Sequence, residues 1–273
     1  TGYTEVQQGA AVELFGVTTS ESFVIREGGV GFGSGTDIST AGALRGVGGA
    51  TSTINGNVEL QGADNMIGVA TGSTLVITGQ VLTGLSKNAA NRFLKVGGGT
   101  LQLAGTQVNV FTVQTRVLQG TLELNKTPGK NAIGGDLIIG DNIGGDNAAT
   151  VKLLASNQIP QLNVFDVALN TITLNSSGVL DLGANTDTIG NLILTTGASY
   201  SSDVIGAGTL TLGGNLTVNN FQGSSGATPA ATISANLDLG QFFSGGAAGG
   251  GVNTRTFTIN DTQLVNIATD LDI

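Results

Sequence analysis

Short runs in which apolar and polar residues alternate recur along the whole chain, each closed by Gly, Asn, Asp or Ser. A period of two puts successive side chains on opposite faces of a β-strand. The clearest runs are Asn57–Leu60, Thr74–Ile77, Thr100–Leu103, Thr121–Leu124, Asp136–Ile139, Thr150–Leu153, Thr171–Leu174, Val179–Leu182, Asn191–Leu194, Thr209–Leu212 and Asn215–Val218. Helical periodicity is scarce, and its best instance, residues 84–93, predicts at most a short turn of helix. The pattern therefore predicts an all-β protein.

The spacing between these runs indicates how the strands are arranged. Three pairs of matching residues lie 21 positions apart, namely Thr100 and Thr121, Thr150 and Thr171, and Leu216 and Leu237. Shorter steps fall inside these windows, as expected for a solenoid coil that is built from several short strands. With roughly 20 residues per coil, the chain would form on the order of 12–13 stacked coils.

We therefore predict one right-handed parallel β-helix, or β-solenoid, over residues 1–273, as a fragment of a longer chain. Crossovers between parallel strands are almost always right-handed. Residues 1–84 are predicted to form less regular coils, and residues 85–273 repeat-like coils. The alternative architecture is an antiparallel β-sandwich or barrel, because hairpins at a spacing of about 8–12 residues give a similar pattern.

Glycine accounts for 45 of the 273 residues, whereas proline accounts for 3. Many solenoid corners need a positive φ, which glycine reaches without steric cost and which Asn and Asp tolerate. The pairs Asn55-Gly56, Asp141-Asn142 and Asp146-Asn147 fit such corners. The run Gly245–Gly251 is predicted as a flexible loop. Neither this run nor Gly28–Gly33 is followed by the Lys-Ser or Lys-Thr and the helix that a phosphate-binding loop requires.

The composition excludes several kinds of chemistry. Because the chain has no Cys and no His, it has no disulfide, thiolate nucleophile, Ser-His-Asp triad or histidine-ligated metal. Ten Lys and Arg against 19 Asp and Glu give a net charge of −9. Such an acidic chain should repel nucleic acids and anionic membranes. No apolar run approaches the length of a membrane-spanning helix, so we expect no direct membrane insertion.

Carboxylates are the remaining catalytic candidates. Asp136, Asp141 and Asp146 form one possible group, and Asp181 and Asp187 form another. Paired carboxylates hydrolyse glycosidic bonds, so a polysaccharide-active enzyme is one alternative function. We favour the interpretation that these residues cap strand ends and glycine-rich turns. We therefore predict no catalytic residue and no cofactor.

Calcium is the one metal for which the sequence offers weak candidates. Residues 33–37, ending at Asp37, resemble part of a calcium-binding nonapeptide repeat but lack its tandem copies. The loop Asp141–Asn147 is richer in oxygen ligands and includes Asp146. A solvated acidic loop is the preferred reading, so we predict no metal site.

Threonine pairs on a flat solenoid face would suggest ice binding. Thr171 and Thr173 form one such pair, and Thr209 and Thr211 another. These pairs do not recur coil after coil. We therefore interpret the threonines as ordinary solvent-facing strand residues.

The stretch Leu94–Gly105 resembles the autotransporter-associated β-strand repeat, also called the passenger-associated transport repeat. It contains the Leu-Lys-x-Gly-x-Gly-Thr-Leu-x-Leu-x-Gly pattern, and Leu118–Lys126 is similar to the strand that follows in that family. Three extra residues, Thr115–Val117, depart from the family pattern. Weaker similarity continues to residue 259. Residues 1–84 have the same short alternating runs but no clear motif of the family.

This resemblance implies a secreted or cell-surface β-helix that belongs to a large bacterial passenger protein. We therefore expect a non-catalytic stalk or scaffold segment. Its partners would be neighbouring segments of the same long chain or copies of itself. The second alternative is an adhesin whose loops bind a cell-surface or glycan ligand.

Overall fold

The computed structural model describes residues 2–29, 42–84, 92–160, 170–197, 199–220, 229–240, 255–260 and 271–273. These residues form 27 short strands and no helix. The first twelve are β1 Thr4–Val6, β2 Val12–Leu14, β3 Thr18–Thr19, β4 Phe23–Ile25, β5 Leu44–Gly46, β6 Thr51–Ile54, β7 Val58–Leu60, β8 Asp64–Val69, β9 Thr74–Ile77, β10 Val81–Thr83, β11 Arg92–Val96 and β12 Thr100–Gly105. The others are β13 Gln114–Val117, β14 Gly120–Lys126, β15 Leu137–Ile139, β16 Ala149–Leu153, β17 Ile172–Leu174, β18 Gly178–Asp181, β19 Thr186–Ile189, β20 Leu192–Thr196, β21 Asp203–Ile205, β22 Thr209–Leu212, β23 Leu216–Asn220, β24 Ala231–Ile233, β25 Asn236–Asp238, β26 Phe257–Asn260 and β27 Leu271–Asp272.

Every pairing between these described strands is parallel, and the strands of successive coils stack on one another in four sheets. Sheet 1 has the order β1-β4-β7-β10, and sheet 4 has the order β19-β22-β25. Sheet 2 contains ten strands, β2-β5-β8-β11-β13-β15-β17-β20-β23-β26. Sheet 3 contains ten strands, β3-β6-β9-β12-β14-β16-β18-β21-β24-β27. The chain is therefore a parallel β-helix, as predicted, and not an antiparallel sandwich.

The two ten-stranded sheets define ten coils in the described chain. Coils 1–4 and 8–10 each contain three strands, because a strand of sheet 1 or sheet 4 precedes those of sheets 2 and 3. The described residues of coils 5, 6 and 7 form no strand at this first position. In coil 5, residues 106–113 contribute a single parallel bridge, between Val110 and Leu82.

Coil length varies more than the 21-residue period suggests. Thr100 pairs with Thr121, which confirms one of the three spacings. The other two spacings are wrong as measures of a coil, because Thr150 pairs with Thr121 and Val179, and Leu216 pairs with Leu192 and Phe257. Paired threonines are 21 residues apart from Thr100 to Thr121 but 29 residues apart from Thr121 to Thr150, so the connections differ in length from coil to coil. The described residues form ten coils, where a uniform period implies 12–13 for the whole chain.

The core consists of apolar rows that run from coil to coil along the inner side of each sheet. One row of sheet 3 contains Leu75, Leu101, Leu122, Val151, Leu180, Val204 and Ile233 in direct register. All seven are buried. Fully burying one such side chain stabilises the fold by roughly 1.5–3 kcal/mol, so the stacked rows are a main source of stability.

A second, smaller cluster lies on the opposite side of sheet 2. Met66, Leu94 and Val96 are buried there, with Leu118 packed against them. Residues 85–91 of the expected helical turn lie outside the described residues. Phe93, at the end of that segment, is in strand β11 and not in a helix.

Corner residues confirm part of the expectation about glycine and asparagine. Asn142 and Asn147 both have positive φ, at 66° and 55°. Gly56 and Gly79 are needed for a different reason, since a Cβ at Gly79 would lie 2.0 Å from the carbonyl oxygen of Gly56, one coil earlier. Glycine is therefore needed where the backbones of successive coils approach closely, as well as in left-handed turns. Among the described residues, no helix is long and apolar enough to span a membrane.

Candidate functional site

The acidic loop that was the better calcium candidate is held together by its own hydrogen bonds. It follows β15 and precedes β16. Oδ1 of Asp141 accepts a 2.9 Å hydrogen bond from the amide of Ile143. Oδ1 of Asn142 accepts a 2.9 Å bond from the amide of Ser176, which ties the loop to the next coil. Both side chains therefore act as turn-capping groups.

The carboxylates of this region do not converge on one point that could hold a cation. Asp136 and Asp141 lie at opposite ends of β15, and Asp136 accepts a 2.9 Å hydrogen bond from the amide of Thr171. Burial raises the pKa of Asp203, and the charge of Asp146 adds to this effect. Within the described ranges, no group of three or more acidic residues could hold a metal ion. Asp37 lies outside those ranges.

The second acidic pair is divided between the outside and the inside of the coil. Asp181 lies on the outer face of sheet 3, where its carboxylate is 3.5 Å from Nζ of Lys152. Asp187 points inward, in register with Leu210 of the next coil, and is 1% exposed. These two carboxylates therefore do not form the paired arrangement that glycoside hydrolysis requires.

Asp187 belongs to a buried polar corner that the sequence patterns do not reveal. Its carboxylate accepts hydrogen bonds from the amides of Gln158, at 2.8 Å, Ile159, at 3.1 Å, and Thr188, at 2.9 Å. Burial raises its pKa to about 6, although these hydrogen bonds oppose the rise. The carboxylate thus accepts hydrogen bonds from amides of the preceding coil that, in the described residues 154–160, are not part of a strand.

The same corner continues toward the N-terminus through two more buried polar residues. Oε1 of Gln158 accepts a 2.7 Å hydrogen bond from the amide of Lys126. Nζ of Lys126 donates to the carbonyl oxygen of Gly79 at 2.9 Å, which lies two coils away. Burial lowers the pKa of Lys126 to about 8. Lys126, Gln158 and Asp187, which we call the polar corner, therefore connect the corners of several coils.

A second buried lysine occupies the core of coil 4. Lys95 is 0% exposed and lies between Ile67 and Val117 in an inward row of sheet 2. Its ammonium group donates to the carbonyl oxygens of Gly97, Gly99 (2.6 Å) and Gln119 (2.8 Å). Burial lowers the pKa of Lys95 to about 7. This is the most strongly perturbed lysine among the groups described.

The outer face of sheet 3 carries a regular feature that sequence reasoning missed. Five threonines from successive coils pair directly with one another, namely Thr51, Thr74, Thr100, Thr121 and Thr150. Strand neighbours are about 4.8 Å apart, so the five side chains form a straight row, which we call the threonine row. A search at constant spacing misses it because the intervals differ from coil to coil. The available signal was the pattern Thr-apolar-x-apolar, which the runs Thr74–Ile77, Thr100–Leu103, Thr121–Leu124 and Thr150–Leu153 share.

No protein-family model, curated protein or solved structure matches this chain. The class is therefore defined by strand pairing, which makes the chain an all-β protein with a parallel β-helix fold. Its distinctive interior chemistry consists of the Lys95 amine and the polar corner.

Proposed function

We propose that this chain is a non-catalytic structural segment, a stalk or scaffold, of a secreted or cell-surface bacterial protein. The observation that supports this most directly is the uninterrupted register of sheets 2 and 3 through ten coils. Parallel stacking with a continuous apolar core makes an elongated body whose length grows with the number of coils. Such a body holds other elements at a distance from the cell.

The buried polar groups are consistent with a structural role. The carboxylate of Asp187 and the amine of Lys95 each bond to main-chain groups at corners, where they satisfy the backbone. The resemblance of Leu94–Gly105 to the passenger-associated repeat supports the proposed export and surface location. Neighbouring segments of the same chain, or copies of it, are the partners that we propose.

Two experiments on the purified chain and its source cells test this proposal. Protease treatment of intact cells should remove the segment from the surface, and the purified chain should leave pectin, alginate and other polyuronates unchanged. Turnover of such a polymer that disappears in Asp181→Asn, Asp187→Asn or Asp203→Asn would establish the enzyme instead. Complete protection of the segment in intact cells would contradict the surface location.

The threonine row favours an adhesin as the second candidate. It offers a straight line of hydroxyl-bearing side chains on a lateral face, and Gln102 and Glu123 lie beside it on the same strands. Binding of the chain to a glycan or to host cells, abolished by Thr100→Lys together with Thr121→Lys, would support this function. Equal binding by the variant would argue against this face.

A further inference from the structure

The outer face of sheet 3 carries a second row of side chains beside the threonine row. Its members come from coils 4–7, stand in direct register, and are Gln102, Glu123, Lys152 and Asp181. We call these four residues the charged row. Nε2 of Gln102 donates a 2.7 Å hydrogen bond to Glu123, and Nζ of Lys152 lies 3.5 Å from the carboxylate of Asp181. The row therefore has an acid at its second position and a base at its third.

The order of residues in the charged row complements its own reverse. If the same row faces it in the opposite direction, Glu123 meets Lys152, so a base stands opposite an acid in both halves. Gln102 then meets Asp181, and the side-chain amide can donate to that carboxylate. Within these four coils no carboxylate stands opposite another carboxylate. The charged row therefore fits a reversed copy of itself.

The residues that flank the charged row extend the same symmetry. Val76 of coil 3 precedes the row in register, and Ile205 of coil 8 follows it. Both are apolar and partly exposed, and Ile205 is 37% exposed. In the reversed arrangement Val76 meets Ile205, so an apolar contact closes each end. In the threonine row, Thr121 meets Thr150 at the centre. The outer face of sheet 3 is therefore complementary to its own reverse over coils 3–8.

We propose that the outer face of sheet 3 binds a second copy of this chain face to face, with the two stacks of coils running in opposite directions. A two-fold axis that lies along the strands, between coils 5 and 6, reverses the order of the coils and keeps each row opposite its counterpart. Such an interface is isologous, because each residue contacts the partner of its own partner. A parallel arrangement would place the charged row opposite the threonine row and leave Glu123 and Lys152 without a partner of opposite charge.

This inference deepens the proposed function and rests on its suggestion that copies of the chain are partners. It names the surface that such a copy would use and the direction in which it would run. The contact would cover the threonine row, so one face could not hold a second copy and an adhesin ligand at the same time. The stalk function does not depend on the contact, because a single copy is already an elongated stack of coils.

The size of the face sets the expected strength of association. Six coils at about 4.8 Å per coil make a face roughly 29 Å long. A protein interface of this size is small, so we expect weak association, with a dissociation constant of about 10–100 μM. The net charge of −9 on each copy opposes association at long range. Salt at about 0.15 M screens that repulsion beyond roughly 8 Å, so the association should be measured at this ionic strength.

Charge reversal, followed by sedimentation velocity on the full chain, tests the pairing. Glu123→Lys places a lysine opposite Lys152 in both halves of the dimer, and Lys152→Glu places a glutamate opposite Glu123. Each variant alone should have a dissociation constant at least about tenfold higher than the wild type. An equimolar mixture of the two variants should associate within about threefold of the wild type. The mixture regains affinity because the introduced lysine faces the introduced glutamate and the two native residues face each other.

Two matched controls change the net charge by the same amounts elsewhere. Glu59→Lys lies on sheet 1, and Lys130→Glu lies in the exposed turn between β14 and β15. Both should associate like the wild type. The proposal is overturned if a control loses association as the charged-row variants do, if the mixture does not regain it, or if the wild type is monomeric at about 1 mM. A monomeric wild type that binds a glycan through the threonine row would assign this face to the adhesin function. Protease treatment of intact cells tests the surface location separately from any of these outcomes.

Cross-linking tests the direction of the second copy. The chain has no Cys, so Val76→Cys and Ile205→Cys each introduce one reactive thiol. In the proposed dimer position 76 of one copy lies opposite position 205 of the other, whereas the two copies of position 76 lie five coils apart, about 24 Å. A short bismaleimide should therefore cross-link a mixture of the two variants and neither variant with itself. Efficient cross-linking of either variant with itself, or none in the mixture, would overturn the proposed arrangement.

Discussion

Lys95 in coil 4 and Asp187 at the entry to coil 8 are buried charges of opposite sign that the main chain stabilises in opposite ways. The Lys95 ammonium donates to carbonyl oxygens, and the Asp187 carboxylate accepts from amide N–H groups. The interior of the solenoid therefore holds a charge of either sign, depending on whether peptide carbonyl oxygens or N–H groups face it.

The two sites also respond oppositely to pH. Burial lowers the pKa of Lys95 from 10.5 to about 7, so the folded chain disfavours the proton. The resulting stability is present above pH 10.5 and is lost as the pH falls through 7. Burial raises the pKa of Asp187 from 3.8 to about 6, so its contribution is present below pH 3.8 and is lost as the pH rises through 6. Both contributions are smallest between pH 6 and pH 7.

The largest expected effect is that Lys95→Met loses most of the increase in unfolding free energy that the wild-type chain should show at alkaline pH. A shift from 10.5 to about 7 corresponds to roughly 5 kcal/mol of unfolding free energy gained between pH 7 and pH 10.5. Urea unfolding at several pH values should show this rise in the wild-type chain. Lys95→Met should retain only the part contributed by Lys126, whose pKa is also lowered. If the unfolding free energy of Lys95→Met rose with pH as steeply as that of the wild type, Lys95 would not be the source of the increase.

The second prediction concerns Asp187→Asn, which should change the dependence of unfolding free energy on pH in the acidic range by a smaller amount. The wild-type chain should gain roughly 3 kcal/mol between pH 6 and pH 3.8, from the raised pKa of this one carboxyl. Asparagine keeps one acceptor oxygen but cannot titrate, so its profile should be flatter in this range. Asp181→Asn is the matched control, because the carboxylate of Asp181 lies on the outer face. This variant should gain as much unfolding free energy between pH 6 and pH 3.8 as the wild-type chain. Identical profiles for both variants would contradict the role of Asp187.

The third prediction concerns Gln158, the uncharged residue of the polar corner. Gln158 bonds to both the amide and the carbonyl of Lys126 and is fully buried. Gln158→Ala should destabilise the chain by about 2 kcal/mol at any pH, because buried main-chain groups lose their partners. Gln102→Ala is the control on the outer face, where Gln102 bonds to Glu123, and should cost less than about 0.5 kcal/mol. Equal effects of the two substitutions would show that burial of the corner is unimportant.

Much of the fold was predictable because the alternation of apolar and polar residues is local. The runs at Thr100–Leu103 and Thr121–Leu124 lie in strands that pair with the predicted register. Coil length was not predictable in the same way. Insertions between strands change the spacing without changing the pattern, so the Thr150–Thr171 interval falls at 21 residues by coincidence.

The interior polar groups were harder to predict for a different reason. Asp181 and Asp187 were considered as one possible carboxylate group, but Asp181 points outward from sheet 3 whereas Asp187 points inward from sheet 4. Lys95 gives one usable signal, a lysine with apolar residues on both sides followed at once by a glycine run. Lys126 gives no comparable signal, since its partner, the Gly79 carbonyl, is 47 positions away.

The smallest expected effect concerns a charge pair outside the core. Lys152 lies 3.5 Å from Asp181, and both side chains are partly exposed. Water screens such a pair, so Lys152→Ala should cost less than about 1 kcal/mol, and the loss should shrink further in high salt. The same salt series should leave the pH-dependent gap between the wild type and Lys95→Met nearly unchanged, because Lys95 is buried. Comparing the two salt dependences by urea unfolding separates charges that the main chain stabilises from charges paired at the surface. If salt reduced both effects equally, the Lys95 amine would have to be accessible to solvent ions, and the comparison between the two buried charges would fail.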